Sequence, residues 1–198
     1  VWEHPARRAL LTFSAVTLLF LIAPDALAVA YARQHGHGAV AAGVLAASQP
    51  LGIAVGAWLF IKYVPTRRQS HYLLPLGTVG AIALALTSLV PPVWLACAMW
   101  MCSGMAQSFL IATIAAYNIV TDRAVRGRAN GLAAASIAVT QGLGFLLWGG
   151  VADFEGAAAG VAWAGITGLL IMTVARYLWP HDVIDDAWEK LAGAQERR

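Results

Sequence analysis

From residue 69 to residue 121 the chain carries no Asp, Glu, Lys or Arg, 53 residues in succession, with Pro91-Pro92 near the middle. A helix on the surface of a water-soluble domain needs a polar face, and this run supplies none. Two apolar helices of about 20 residues, each long enough to cross roughly 30 Å of hydrocarbon and joined by a tight proline turn, account for it. The expected class is an all-α integral membrane protein. Composition agrees: 60% of residues are hydrophobic and 12% charged, against about 25% charged in an ordinary soluble domain.

Apolar stretches between charge clusters predict a bundle of six transmembrane helices, roughly 9–32, 39–61, 71–90, 93–120, 129–152 and 157–178, with a tail over 179–198. Orientation follows from Lys and Arg. The amino end, the second and fourth connectors and the carboxyl end hold Arg7, Arg8, Lys62, Arg67, Arg68, Arg123, Arg126, Arg128, Arg176, Lys190, Arg197 and Arg198, whereas the other connectors hold Arg33 alone. Twelve against one predicts that both termini are cytoplasmic, in a multi-pass protein of the cell's inner (plasma) membrane. Trp58, Phe60, Tyr63, Tyr72, Tyr177 and Trp179 fall at predicted span ends, where aromatic rings favour the headgroup layer; Trp100 and Trp163 lie deeper and read as packing residues.

Small residues recur at spacings that let helix backbones approach. Gly52 and Gly56 form one pair, and Gly156, Gly160, Ala164 and Gly168 form a stripe. In the tail, Ile184, Trp188 and Leu191 recur at helical spacing. This reads as a short amphipathic helix lying on the inner membrane surface, with a frayed cytoplasmic tail as the alternative. Cys97 and Cys102, inside one span, suit buried inert thiols and no metal. The chain opens on Val and is expected to be a trimmed or partial product.

A net charge of +3 does not point to nucleic acid, because the basic residues sit in short loops and build no continuous face. Enzyme chemistry is not expected either. All five histidines lie at or beyond span ends, no span contains Glu, and neither an HExxH zinc motif nor a P-loop is present, so no metal or cofactor is expected.

The polar residues inside the spans are few. Asp25 is the one acid, about 7 Å outward of a first span centred near Phe20. It reads either as a proton-coupling or substrate-binding carboxylate facing a cavity, or as an interfacial acid paired with Arg33. Pro24, beside it, removes a backbone donor and is expected to kink the helix. Along the fourth span Ser103, Gln107, Ile114 and Asn118 share a face. In the fifth, Ser136, Thr140 and Gly144 recur, with Gln141 beside them. Gln107, Gln141 and Asn118 read as cavity-lining residues or as interhelical hydrogen-bonding groups.

The run Asp122-Arg123-Ala124-Val125-Arg126-Gly127-Arg128-Ala129-Asn130-Gly131 leads into Gln141-Gly142-Leu143-Gly144 and Gly149-Gly150. This resembles the tenth and eleventh helices of a major facilitator superfamily transporter. Pro24-Asp25 followed by Tyr31 is similar to the seventh helix of bacterial members. The resemblance covers roughly residues 9–178 and only the carboxyl-terminal six-helix half of that family's twelve helices. Gly56 through Arg68 departs from the family's loop pattern, lacking its Asp and second Gly.

The resemblance implies half of a secondary transporter moving a small solute by alternating access, with protons as one coupling option. The partner would be the amino-terminal six-helix half, and Arg123, Arg126 and Arg128 would belong to a cytoplasmic gate loop. A non-transport six-span scaffold or assembly subunit, and a half-size carrier acting as a homodimer, are the alternatives.

Overall fold

The computed structural model describes residues 5–89, 92–119, 121, 124–180, 182, 184–186, 188, 189 and 193. Among these the chain is a bundle of helices without a strand. In order they are α1 (Pro5–Leu21), α2 (Ala23–Gln34), α3 (Ala39–Tyr63), α4 (Gln69–Leu86), α5 (Val93–Gln107), α6 (Phe109–Ile119), α7 (Arg126–Glu155) and α8 (Ala157–Leu178).

Five segments are long and apolar enough to cross a bilayer: Pro5–Gln34, Ala39–Tyr63, Val93–Ile119, Arg126–Glu155 and Ala157–Leu178. The first joins α1 to α2 and the third joins α5 to α6. The predicted span 71–90 corresponds to α4, which has 18 residues and opens on Gln69-Ser70-His71, so its apolar part is shorter than the others.

The α1–α2 segment runs through the middle of the bundle, touching α3, α4, α6, α7 and α8, while α3 packs along α5 and α4 along α8. Glycines set the closest approaches. Side chains at Gly52 and Gly56 would strike the backbone of Met101 and Met105 on α5, and one at Gly104 would strike the backbone of Gln49 on α3. The α8 stripe meets the central segment, with Gly160 against Leu27 and Gly168 against Phe20, while Gly165 sits on the backbone of α4 at Ala85. Without a hydrophobic force between helices in lipid, this contact is what holds them together.

Burial is uneven. Of the most apolar stretch of each segment, 61% is buried in α1–α2 but only 11% in α7. α7 buries Ala129, Gly144 and Trp148 and leaves most of its length uncovered.

Two expectations change. Trp163 is 46% exposed and donates from Nε1 to Glu155 Oε2 at 2.7 Å, so it is a surface residue at the α7–α8 turn, while Trp100 is fully buried as expected. In the tail, Ile184 and Trp188 are buried in the core of the bundle. The apolar face of that segment is turned toward the protein and not toward lipid. Leu191 lies outside the described residues.

Candidate functional site: two interrupted helices

Proline at position 24 has no N–H to give, and its ring crowds the carbonyl one turn earlier. Regular helical bonding is disturbed next to Ile22, close to the middle of its segment, where α1 gives way to α2 with Pro24 in its first turn. Ile22 itself stays helical, donating to Leu18 O and accepting from Ala26 N–H, both at 3.1 Å. The carbonyls around the interruption take side-chain donors from other helices. Gln49 Nε2 on α3 donates to Leu21 O at 2.7 Å, and Trp148 Nε1 on α7 donates to Leu19 O at 2.7 Å. Backbone groups freed inside a membrane span require such partners.

The Val93–Ile119 segment is interrupted as well, at Ser108 between α5 and α6. There the bonding tightens to three-residue spacing, with Ser108 N–H on Met105 O at 3.3 Å and Ile111 N–H on Ser108 O at 3.2 Å. Gly80 of α4 lies beside both interruptions: a side chain there would come within 3.3 Å of Leu21 and 3.5 Å of Ala106. The two breaks thus sit in one layer of the bundle. Polar atoms collect in this layer. Gln49 Oε1 and Ser103 Oγ are buried there without a hydrogen-bond partner among the described residues.

Asp25 falls in the first turn of α2 and is exposed. No ion pair joins it to Arg33 among the described residues; the two are eight residues apart, about 12 Å along a helix.

Gln107 closes α5 at the second break and is buried. Gln141 is half-buried on α7, one turn before Gly144, which rests against Ile22. The fourth-span polar line is divided by the Ser108 break: Ser103 and Gln107 turn inward, whereas Ile114 is 49% exposed. Ser136 and Thr140 donate to carbonyls of their own helix, so they do not tie α7 to its neighbours.

Asn118 belongs to a different place. Its Oδ1 accepts from Asn130 Nδ2 at 2.9 Å, and Tyr117 donates to Ala129 O at 3.1 Å, which clips α6 to the start of α7. These residues border a cavity of about 220 Å³ whose other wall is Leu10 and Ser14 of α1. Arg126 Nη2 donates to Thr121 O at 3.2 Å across the same junction, Arg128 is exposed, and Arg123 lies outside the described residues.

Sequence reasoning missed Gln49, Trp148 and Asn130. Gln49 carried a usable signal, as an amide in the middle of a charge-free span. Trp148 and Asn130 carried none, since only the fold brings them to their partners.

Comparison with protein-family models, with curated proteins and with solved structures returns no match to this chain.

Proposed function

We propose that the chain is the carboxyl-terminal, six-span half of a secondary transporter of the major facilitator type. It would move a small solute across a cell's inner membrane by alternating access. The observation that carries this reading is the pair of interrupted helices meeting in one polar layer near mid-membrane. Spans disturbed in this way gather polar side chains where a solute or ion can use them, and transporters place their sites at discontinuities in their helices. In this reading α4 is the sixth span, and the twelve-to-one distribution of Lys and Arg supports cytoplasmic termini.

In this reading the uncovered side of α7 meets the amino-terminal six-helix half, and solute passes between the halves. Asp25 is the coupling carboxylate, Gln107 and Gln141 line the solute path, and Asn118 with Arg126 and Arg128 stands at its cytoplasmic end.

Asp25→Asn in the complete transporter tests the assignment. Asn keeps size and polarity but cannot titrate. Proton-driven accumulation is expected to vanish while exchange of labelled for unlabelled solute survives. Joint loss of both would make Asp25 a solute ligand, and unchanged uphill transport would remove it from the mechanism.

A further inference from the structure

A mixed polar and apolar cavity lies away from both breaks, at the end of the bundle that carries the basic connectors. It occupies about 660 Å³ between the start of α4, the end of α8 and the tail. A neighbouring cavity of about 490 Å³ shares Ser70, His71 and Asp185 with it. Its mouth holds both signs of charge, with Arg67 and Arg176 against Asp185 and Glu189, and His71 between. No ion pair joins Arg176 to Asp185 among the described residues, so the space between them stays open.

The deep end is apolar, bounded by Leu74 and Met172. It reaches Thr78, eight residues beyond Ser70 and so about 12 Å along α4. Tyr63, Tyr72 and Tyr177, all exposed, ring the same end of the bundle, the position aromatic side chains take beside headgroups. The buried Ile184 and Trp188 anchor the tail and thereby hold Asp185 and Glu189 at the cavity mouth.

We infer that this cavity binds one phospholipid with a zwitterionic headgroup bearing a primary ammonium, of the phosphatidylethanolamine class. Among the described residues that line the two cavities, the acids Asp185 and Glu189 match the bases Arg67 and Arg176, so the mouth suits a dipolar headgroup better than an anionic one. Arg176 meets the phosphodiester, and Asp185 and Glu189 accept from the ammonium, whose three N–H donors a trimethylated choline lacks. One acyl chain follows the apolar groove between α4 and α8. The site is separate from the solute path and independent of it.

Native mass spectrometry of the detergent-purified chain tests this, with phosphatidylethanolamine, phosphatidylcholine and phosphatidylglycerol of identical acyl chains. The ethanolamine lipid is expected to bind about tenfold more tightly than the other two, the scale of one charge-assisted hydrogen bond. The double variant Asp185→Asn, Glu189→Gln is expected to lose that preference and to favour phosphatidylglycerol, a gain that misfolding cannot produce. Arg176→Gln is expected to weaken all three. Equal retention of the three lipids by the native chain would overturn the inference, as would an unchanged preference in the double variant. Loss of every lipid from the double variant would trace the effect to tail docking and also overturn it. Displacement by glycerophosphoethanolamine at equal concentration would show that the acyl groove contributes nothing, and the lipid assignment would fall.

Discussion

Replacing Gln49 by Leu tests whether the break at Ile22 depends on donors from neighbouring helices. In an unbroken helix Leu21 O would accept the N–H of Asp25. With Pro24 in place that carbonyl takes Gln49 Nε2 at 2.7 Å, and Leu21 is 1% exposed. Leu fills nearly the same space but leaves the carbonyl without its donor, a penalty of about 1–3 kcal/mol for a buried orphan. Interhelical bonds in membranes average nearer ~0.6 and reach ~1.7 kcal/mol. The same change also removes Gln49 Oε1, which is buried without a partner. A net loss of about 1 kcal/mol is therefore expected. Pro24→Ala gives residue 24 an N–H for Phe20 O and removes the ring that crowds this turn, leaving Asp25 N–H free to reach Leu21 O, so in that background Gln49→Leu should cost less than about 0.5 kcal/mol. Reversible unfolding in mixed micelles, run on the four members of the cycle, reads the coupling. Equal costs in both backgrounds would refute the reasoning.

Three further outcomes are expected. Gly52→Leu should destabilise the bundle by about 2 kcal/mol or more, because the new side chain meets the backbone of α5 at Met101, whereas Gly43→Leu, facing open space, should stay within about 0.5 kcal/mol in the same assay. Trp188→Ala removes a fully buried side chain of the core, worth about 3–5 kcal/mol; limited proteolysis of the tail that it anchors should quicken at least about tenfold. Single cysteines at Gly36 or Gly156, in a background lacking Cys97 and Cys102, should label from outside intact cells, and those at Gln69 or Ala124 only after permeabilisation; the reverse pattern would overturn the orientation.

The helices themselves were legible because charge is so costly in hydrocarbon that its absence marks each span. Their limits followed the charge clusters closely, as at Ala39–Tyr63 and Ala157–Leu178. The glycine spacings also found partners, since a residue without a side chain is where two backbones can meet. The breaks were only half visible. Pro24, Pro50 and Pro75 look alike in the sequence, yet Pro50 and Pro75 sit inside α3 and α4 without ending them. What distinguishes Pro24 is the donors supplied by Gln49 and Trp148, 28 and 129 residues from the carbonyls they reach. The interruption at Ser108 has no proline at all. Among the polar residues, Asp25 and Gln107 stand at the breaks and Gln141 one turn away. Asn118 stands apart, because its side chain is engaged by Asn130 at the α6–α7 junction. The tail's apolar face was readable, but the surface it would cover was not.

If the chain is half of an alternating-access transporter, as we propose, one mid-membrane residue must be reached by water from each side in turn. A single cysteine at position 141, in place of Gln141 and without Cys97 and Cys102, provides that probe in the proposed complete transporter. Membrane-impermeant maleimide should label it in both right-side-out and inside-out vesicles, and saturating solute should slow labelling from both sides. A scaffold without a solute path would keep it sealed, so labelling from neither side, or from one side regardless of solute, would contradict the account.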